Sequence, residues 1–473
     1  MKIHFSAIAG TGMGSLAGLL KAAGHDVRGS DQAIYPPMST QLAELGIEVF
    51  EGYRAENLDW QPELVVVGNT CKADHVELLA AQARGFRLAS FPQLLAETFL
   101  AERHSIVIAG THGKTTTTSL VAHLLRDTGN DPGYLIGGIP LGFERSFEGG
   151  RPPYFVVEGD EYDSATFDKR PKFVHYLAKT AVITSLEYDH ADIYPSLEKL
   201  RQAFAMLVNG MPADGRLIVC ADAEIAVELA EHCACTVETY CVREVGEPAP
   251  ARCDWLGRYR VSEGAFHLSV ERNGQLLFGE IALPLTGAYN MANCLAATAV
   301  TVGNGINAQQ VALALQRFAG VRRRQEVRAT VNGVTIIDDF AHHPTAIAET
   351  LGGLRRAYPG QRLIAVFEPR SGSSRRNVFQ REFALALAQA DHAIVAPLYA
   401  PEKIPADQRL DLARLASDLS NAGVSHRVGE GTAAIIDHLV DFSRSGDLIV
   451  VMSCGGFESL IERLTTALSN ARR

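Results

Sequence analysis

An apolar run that passes directly into a glycine-rich turn places the strongest constraint on the fold of this chain. The apolar run is Ile106–Ala109, and a helical pattern covers Thr117 to Arg126. The turn between them consists of Gly110, Thr111, His112, Gly113, Lys114, Thr115 and Thr116. Glycines let backbone N–H groups face phosphate oxygens, and a helix N-terminus adds partial positive charge. The pattern predicts a loop that binds nucleotide phosphates, with Lys114 on the terminal phosphates and the Thr115 hydroxyl on Mg²⁺.

The loop departs from the commonest spacing of such motifs. The pattern G-x-x-x-x-G-K-[ST] would require glycine at position 108, where the chain has Ile108. The turn therefore corresponds to a shortened form, G-T-x-G-K-T-T. A glycine turn with a surface lysine and no ligand is the alternative, and the agreement of strand, loop and helix disfavours it.

Alternating strand and helix patterns recur along the chain and predict an α/β fold with parallel sheets. A length of 473 residues corresponds to about three domains. We expect a Rossmann-like domain over residues 1–103, a central P-loop ATPase-like domain over 104–319 and a Rossmann-like domain over 320–473. Short alternating strands around the Asn273-Gly274 pair predict a small antiparallel insert at the end of the central domain.

Charge and composition exclude several classes of protein. The net charge of −10 disfavours a protein that wraps nucleic acid. No apolar run reaches the about 18 residues of a membrane helix, so we expect no membrane insertion. The N-terminal residues resemble a strand entering a turn rather than a signal peptide, which predicts a cytoplasmic protein. Eight scattered cysteines without a C-x-x-C pair predict free thiols.

A second glycine turn lies near the N-terminus and is a weaker signal. Gly10, Gly12 and Gly14 fit no G-x-G-x-x-G pattern, because the last position would fall on Ser15 or Ala17. Asp31 lies about twenty residues further on, where a Rossmann acidic residue contacts a ribose. A nicotinamide cofactor, another nucleotide diphosphate, and a tight turn without a ligand all remain open.

Two acidic loops follow predicted core strands of the central domain. One runs from Glu158 to Asp163 and the other from Glu187 to Asp192. The carboxyl ends of parallel strands share one edge of a sheet, where ligands bind. We predict that Glu158 and His190 are metal ligands. The alternatives are solvated acidic loops and a histidine that serves packing.

Arginines and a histidine pair mark the third domain. Arg322–Arg324 precede the segment Asp338–Pro344, which favours a clamp on a transferring phosphoryl group over a solvated basic turn. Arg370, Arg375 and Arg376 lie in a Gly/Ser-rich loop and suit a carboxylate-bearing substrate, although a solvated loop is equally consistent.

The motifs taken in order resemble the Mur ligases of peptidoglycan synthesis along the whole chain. The matching segments are G-T-G-M-G, G-T-H-G-K-T-T-T, E-G-D-E-Y-D, E-Y-D-H, G-A-Y-N-M-A-N, R-R-Q-E and D-D-F-A-H-H-P. This family has a UDP-sugar domain, an ATPase domain and a domain for the incoming amine. The resemblance implies an ATP- and Mg²⁺-dependent ligase that forms an amide on UDP-N-acetylmuramate through an acyl phosphate.

Two kinds of family member are most similar to this chain. One adds L-alanine to UDP-N-acetylmuramate, and the other adds the recycled murein tripeptide L-alanyl-γ-D-glutamyl-meso-diaminopimelate. Three segments resemble the tripeptide ligases more closely, and they span Gly29–Thr40, Phe367–Ser371 and Ser453–Phe457. The expected partners are these substrates, and the expected assembly is a monomer or weak homo-oligomer.

The resemblance also implies roles for individual residues. The residues implied in catalysis are Lys114, Glu158, His190 and Arg324. Those implied at ATP are the loop 110–116, Asn290, Arg324, Asp339 and His342. Those implied at Mg²⁺ are Thr115 and Glu158 for one ion and His190 for a second. Those implied at the substrates are Gly12, Met13, Gly14 and Asp31 near the uridine diphosphate, with Arg370 for the amine substrate.

Two points stay open after this comparison. Several family members carry a carbamoylated lysine about fifteen residues after the metal histidine, whereas this chain has Gln202–Ala205 there. His343 is a conceivable general base for the amine, and a hinge or packing residue is an equally good interpretation. A P-loop switch ATPase and a nicotinamide oxidoreductase are the alternatives from other classes. The third-domain motif disfavours the first, and the broken glycine spacing disfavours the second.

Overall fold

The computed structural model describes residues 1–32, 34, 38–191 and 193–471, and in these residues three large β-sheets follow one another along the chain. Tyr35, Pro36, Pro37 and Asp192, which belong to motifs quoted above, lie outside the described residues. The α/β prediction is confirmed. The boundaries after residues 103 and 319 stay a prediction.

The first sheet is entirely parallel and has the strand order β3-β2-β1-β4-β5. Its strands are β1 (Lys2–Ser6), β2 (Asp26–Asp31), β3 (Glu48–Glu51), β4 (Leu64–Val67) and β5 (Arg87–Ser90). Its helices are α1 (Thr11–Ala22), α2 (Met38–Glu44), α3 (Val76–Ala83) and α4 (Phe91–Leu95). The order reverses between β1 and β4, and ligands of Rossmann-like sheets bind at such a reversal.

The second sheet has ten strands in the order β17-β16-β15-β14-β13-β12-β6-β9-β7-β8. Its strands are β6 (His104–Ala109), β7 (Gly133–Leu135), β8 (Phe147–Glu148), β9 (Tyr154–Glu158), β12 (Thr180–Ile183), β13 (Arg216–Cys220), β14 (Thr236–Glu244), β15 (Trp255–Ser262), β16 (Ala265–Arg272) and β17 (Gln275–Leu283), and a separate hairpin comprises β10 (Asp163–Ala165) and β11 (Asp168–Pro171). Its helices are α5 (Lys114–Asp127), α6 (Leu197–Asn209), α7 (Glu224–Ala230), α8 (Ala288–Gly303) and α9 (Ala308–Arg317).

The predicted antiparallel insert is continuous with the central sheet. The β16–β17 hairpin turns at Asn273-Gly274, as the sequence predicts, and β15 pairs antiparallel with β16. However, β14 pairs parallel with both β13 and β15 and therefore joins the hairpin to the parallel strands. The structure also pairs Cys241 with Cys253 as a disulfide, whereas the sequence predicted free thiols.

The third sheet has the order β18-β19-β23-β20-β21-β22 and is parallel except for β18. Its strands are β18 (Glu326–Val331), β19 (Val334–Asp339), β20 (Leu363–Phe367), β21 (His392–Val395), β22 (Ser425–Val428) and β23 (Leu448–Met452). Its helices are α10 (Pro344–Ala357), α11 (Gln380–Leu387), α12 (Leu412–Asn421), α13 (Thr432–Phe442) and α14 (Leu460–Asn470). None of the helices in the described part of the chain is both long and apolar enough to cross a bilayer.

Backbone pairing attaches the third sheet to the central one. Leu141 N donates to Gly320 O at 2.9 Å, and Arg322 N donates to Ile139 O at 3.0 Å. Gly320 has φ +98°, a left-handed conformation that glycine adopts without strain. The connection to the third sheet is therefore fixed beside β7 of the central sheet.

A buried carboxylate stabilises the first sheet. Glu77 on α3 is inaccessible to solvent and accepts hydrogen bonds from Ser6 and Ser30, each at 2.6 Å, and from Asn57 at 2.7 Å. The His4 ring nitrogen Nε2 lies 3.4 Å from the same carboxylate. Burial alone would raise the pKa of Glu77, but the hydrogen bonds from His4, Ser30 and Ser6 outweigh it and lower the pKa to about 2.

Replacing Glu77 with glutamine is expected to lower the free energy of unfolding by about 2 kcal/mol or more, because buried donors lose a charged acceptor. The depressed pKa stabilises the fold above the ordinary value of 4.5, and this contribution is lost as pH falls towards 2. Urea denaturation at pH 7 and pH 4 tests both effects. The exposed Glu48→Gln variant is the control, and equal stability of the two variants would contradict the prediction.

Candidate active site

The glycine-rich turn lies between β6 and α5, and two glycines give it its shape. Gly110 has φ +132° and Gly113 has φ +81°. A Cβ at Gly110 would collide with Thr184 Oγ1, and one at Gly113 would lie 2.5 Å from Asn293 Oδ1. Only glycine fits either position, so the backbone can form a tight cradle at the N-terminus of a 14-residue helix.

Helix α5 begins at Lys114, three residues before the predicted start. The four threonines at 115–118 have low intrinsic helix propensity, so the predicted start of the helix lies after the observed one. They are buried in the structure, and the hydroxyls of Thr118 and Ser119 donate to the carbonyls four residues earlier. Burial and these local hydrogen bonds therefore override propensity in the first turn.

The loop that follows β12 anchors the glycine-rich turn. Thr111 N donates to Ser185 O at 3.0 Å, and His112 N donates to Ser185 Oγ at 2.9 Å. Thr111 Oγ1 donates to Glu187 O at 3.0 Å. The turn and the second acidic loop therefore form one hydrogen-bonded unit.

Lys114 lies in a buried charge cluster. Its Nζ is 3.0 Å from Glu161 Oε1 and also donates to Gly110 O at 2.5 Å. Burial opposes the ammonium charge, but the carboxylates of Glu161 and Glu158 more than offset this and raise the pKa of Lys114. The ammonium is therefore fixed and charged at the mouth of the cradle.

Thr115 and Glu158 meet as the sequence predicted for one metal site. Thr115 Oγ1 donates to Glu158 Oε1 at 2.9 Å, and Gly137 N donates to Glu158 Oε2 at 2.7 Å. Arg324 Nη2 from the third domain lies 3.4 Å from Thr115 Oγ1. A hydroxyl and a carboxylate are hard oxygen donors, so this pair fits Mg²⁺.

His190 lies on the far side of Glu161. Its Nε2 is 2.8 Å from Glu161 Oε1, and its Nδ1 is 2.8 Å from the Tyr162 hydroxyl. Burial acts against the charged imidazolium, but Glu161 and Asp189 outweigh it and raise the pKa of His190. Its φ of +54° is uncommon for a residue other than glycine and is typical of functional sites. To bind a metal, His190 must exchange one of these two contacts.

Asn290 joins the cradle through a second asparagine. Asn290 Oδ1 accepts from Asn293 Nδ2 at 3.1 Å, and Asn293 Oδ1 accepts from Thr117 Oγ1 at 3.1 Å. Asn293 is thus the residue nearest to Gly113. The sequence analysis selected Asn290 alone, although the spacing of three residues on one helix places both side chains on the same face.

The third domain contributes side chains that are already hydrogen-bonded. Asp339 accepts from Gln325 N at 2.8 Å and from Ala341 N at 2.7 Å, and burial raises the pKa of its carboxyl group. His342 Nδ1 lies 2.9 Å from Phe340 O. Arg324 stacks over the Phe340 ring at 4.9 Å. Asp339 therefore shapes the segment after β19, and its predicted contact with the nucleoside stays a prediction.

Hydrogen bonds join the third domain to the loop after β12. Thr345 Oγ1 donates to Glu187 Oε2 at 2.8 Å, and Ala191 N donates to Ser373 Oγ at 3.2 Å. The second contact brings the Gly/Ser-rich loop of the third domain beside His190. The central and third domains therefore face each other across the cradle.

The predicted substrate residues are mostly engaged in packing or hydrogen bonds. A Cβ at Gly12 would lie 3.4 Å from the Phe91 ring, and one at Gly14 would collide with Met38. Met13 is buried. Asp31 accepts from Ala9 N at 2.9 Å and from the Tyr53 hydroxyl at 3.2 Å. The structure therefore gives each of them a role in shaping the turn after β1.

Arg370 lies in the third domain, at the start of the Gly/Ser-rich loop. Its guanidinium stacks over the Tyr399 ring at 3.8 Å, and its Nη1 is 3.3 Å from Glu368 Oε1. A Cβ at Gly455 would collide with this side chain, so the glycine makes room for it. The stack fixes the guanidinium plane, which suits recognition of a carboxylate.

Sequence reasoning did not select Glu161, although it lies at the centre of the charge cluster. It is almost fully buried and contacts both Lys114 and His190. Its position in the acidic loop was visible in the sequence, but burial distinguishes it from Asp160 and Asp163. Only the structure shows which carboxylate of the loop lies beside the lysine.

Comparison with protein-family models covers most of the chain in three segments. Residues 2–103 match the Mur ligase family catalytic domain, residues 108–301 the Mur ligase middle domain, and residues 323–455 the Mur ligase glutamate ligase domain. The chain belongs to the Mur ligase family.

Individual Mur ligases match over nearly the full length. The UDP-N-acetylmuramate–L-alanyl-γ-D-glutamyl-meso-2,6-diaminoheptandioate ligase of Escherichia coli is 38% identical and covers 99% of this chain and 98% of its own length. The UDP-N-acetylmuramate–L-alanine ligase of Rubrobacter xylanophilus is 37% identical and covers 86% of each chain. A crystal structure of a murein peptide ligase from Psychrobacter arcticus has a TM-score of 0.73 at 36% identity and covers 100% of both chains.

The Lys114→Met variant is expected to lower ATP-dependent turnover by about 1,000-fold, because it removes the fixed charge at the cradle. Measurement of ADP release at saturating substrate tests this. Lys172→Met is the matched control. The Lys172 side chain is about as buried as that of Lys114, and its Nζ lies 2.6 Å from Asp160 Oδ2, in the acidic loop that also contains Glu161. Comparable losses in both variants would show that general disruption of the loop, rather than Lys114, accounts for the effect.

Proposed function

We propose that this Mur ligase joins the tripeptide L-alanyl-γ-D-glutamyl-meso-diaminopimelate to UDP-N-acetylmuramate, with cleavage of ATP to ADP and phosphate. The observation that carries the proposal is the cradle at Gly110–Thr116 beside Glu158, Glu161 and His190, in a chain whose tripeptide-ligase relative matches 99% of its length. The match to an alanine ligase at 37% identity covers less of the chain, 86%.

The chemistry requires activation of an acid. A carboxylate does not react with an amine in neutral water, because its oxygen is a poor leaving group. Transfer of the γ-phosphoryl group of ATP to the lactyl carboxylate gives an acyl phosphate and ADP. The amine then attacks the carbonyl carbon, and phosphate leaves as the amide forms.

The charged residues of the cradle suit the first step. Lys114 is oriented by Glu161 and Gly110 and would offset repulsion between the γ-phosphate and the substrate carboxylate. Thr115, Glu158 and His190 are the residues that would hold Mg²⁺, which would neutralise charge on the transferring phosphoryl group. Arg324 would reach the phosphates from the third domain, since its guanidinium already contacts Thr115.

The two facing domains suit the second step. An acyl phosphate hydrolyses in water, so its site must exclude solvent before the amine attacks. The contacts of Thr345 with Glu187 and of Ser373 with Ala191 hold the third domain over the cradle. We propose that the third domain carries the tripeptide and that Arg370 binds one of its carboxylates.

His343 is a weak candidate for the general base. Burial and the neighbouring His112 lower its pKa to about 4, so it is neutral at pH 7 but binds a proton poorly. Its Nδ1 accepts from Thr345 N at 3.3 Å at the start of α10. These contacts favour the packing role that the sequence analysis left open.

The cellular setting follows from the substrates. ATP, UDP-N-acetylmuramate and recycled tripeptide meet in the cytoplasm, so we propose that the protein acts there. We propose a monomer or weak homo-oligomer, since each proposed role is filled within one chain.

Purified protein supplied with ATP, Mg²⁺ and UDP-N-acetylmuramate tests the function. We expect kcat/KM for the tripeptide to exceed that for L-alanine by at least about 10-fold, because the peptide offers further carboxylates for recognition. ADP release and the mass of the product are the measurements. Preference for L-alanine would identify an alanine ligase. ATP turnover without an amine, together with no binding of the uridine nucleotide, would indicate a switch ATPase.

The Arg370→Ala variant tests the proposed carboxylate contact. We expect KM for the tripeptide to rise by about 10-fold or more, because one charge-assisted contact is lost, while KM for ATP stays unchanged. Arg414→Ala is the control, since Arg414 is exposed and its Nε lies 3.9 Å from Asp418. A parallel rise in KM for ATP would contradict a role restricted to the peptide.

A further inference from the structure

Three side chains from both faces of the domain cleft converge outside the oxygen-rich pair of Thr115 and Glu158. His112 belongs to the glycine-rich turn, Glu187 to the loop after β12, and His343 to the start of α10. Each offers one ligand atom, and no two of these atoms are more than 4.8 Å apart. Two of the three residues therefore belong to the central domain and one belongs to the third domain.

The separations are close to those required around a single metal ion. His112 Nε2 lies 3.4 Å from Glu187 Oε2, and His343 Nδ1 lies 4.0 Å from the same oxygen. Ligand atoms bound tetrahedrally at about 2.1 Å from Zn²⁺ are about 3.4 Å apart. The His343 imidazole must therefore move closer to Glu187 to complete the set.

The surrounding hydrogen bonds orient these ligands. His343 Nε2 lies 3.3 Å from Tyr188 O, and donation to that carbonyl leaves the Nδ1 lone pair facing Glu187. The Glu187 carboxylate is fixed by the Thr345 hydroxyl. His112 Nε2 is buried and makes no hydrogen bond of good geometry. A metal would supply the missing partner of His112 and replace the long contact from Thr345 N to His343 Nδ1.

The protonation states also suit a metal. Glu187 is an anion at neutral pH, because the neighbouring His112 imidazole and the hydrogen bond from Thr345 lower its pKa to about 2 against the effect of burial. His343 is neutral, with a pKa of about 4. The His343 imidazole and the Glu187 carboxylate can therefore bind a divalent cation without first releasing a proton.

We propose that His112, Glu187 and His343 bind one divalent transition-metal cation of the Zn²⁺ class and thereby fasten the third domain to the central domain. Two imidazole nitrogens and one carboxylate favour such a cation over Mg²⁺, which prefers oxygen ligands. The fourth position is open to water or to an anionic ligand. The inference goes beyond the proposed ligase reaction, because it concerns a second metal site with different donors.

Binding of Zn²⁺ and Co²⁺ to the full-length protein in excess Mg²⁺ tests the proposal without any substrate. We expect one Zn²⁺ per chain. We also expect a Co²⁺ complex with visible absorption and no thiolate charge-transfer band, which separates this site from the free cysteines. The His343→Gln and Glu187→Gln variants should each weaken Zn²⁺ affinity by about 100-fold. Thermal unfolding without metal shows whether each variant remains folded.

The His438→Gln variant is the matched control. His438 Nε2 lies 3.1 Å from His392 Nε2, so these two histidines form a close pair within the third domain. We expect this variant to bind Zn²⁺ as the unsubstituted protein does. Hydrogen exchange at residues 341–345 should slow with Zn²⁺ in the unsubstituted protein and in His438→Gln, but not in His343→Gln.

Three outcomes would overturn the proposal. The first is the absence of stoichiometric Zn²⁺ binding. The second is binding that persists in both His343→Gln and Glu187→Gln. The third is binding that is lost in His438→Gln. Because no outcome depends on turnover, failure of the ligase assay and failure of the metal site can be told apart.

Discussion

The contact between Lys114 and Glu161 is the interaction on which the arrangement of the site depends. The Lys114 side chain at the start of α5 is only 15% exposed, and an unpaired ammonium there would be unfavourable. Glu161 supplies the compensating charge and at the same time contacts His190. One carboxylate thus links the turn after β6, the acidic loop after β9 and the loop after β12. The three neighbouring strands hold these segments at one edge of the sheet.

Hydrogen bonds between loops extend this unit to the third domain. Ser185 and Glu187 tie the glycine-rich turn to the loop after β12, and Thr345 ties that loop to α10. Such contacts can break and re-form at small cost because water can replace each partner. A ligase that must admit three substrates and then exclude water benefits from that property.

Local patterns predicted much of the fold and some of the site. The strands at Leu64–Val67 and Leu363–Phe367 coincide with continuous apolar runs in the sequence, which is typical of fully buried parallel strands. The Thr115 hydroxyl contacts Glu158, because α5 follows β6 and Glu158 ends the neighbouring parallel strand β9, while their shared role as Mg²⁺ ligands stays a prediction. The start of α5 was placed late because packing overrode the low helix propensity of threonine.

What the sequence could not give was the choice among chemically similar residues. Glu161 differs from its neighbours only in burial, and Asn293 differs from Asn290 only in its approach to Gly113. Asp31 had the expected position for a ribose contact, yet its oxygens accept from Ala9 N and the Tyr53 hydroxyl. These distinctions arise from contacts between residues that are far apart in the sequence, so the amino-acid sequence alone does not show them.

The backbone hydrogen bonds between Ile139–Leu141 and Gly320–Arg322 form a pivot about which the third domain can rotate. The pivot lies next to β7 and only a few residues before Arg324, so any swing of the domain about it displaces Arg324 along a short arc. Atoms of the third domain that lie farther from this pivot would move through a longer arc. The Arg324 guanidinium beside Thr115 would therefore stay close to the cradle during such a rotation.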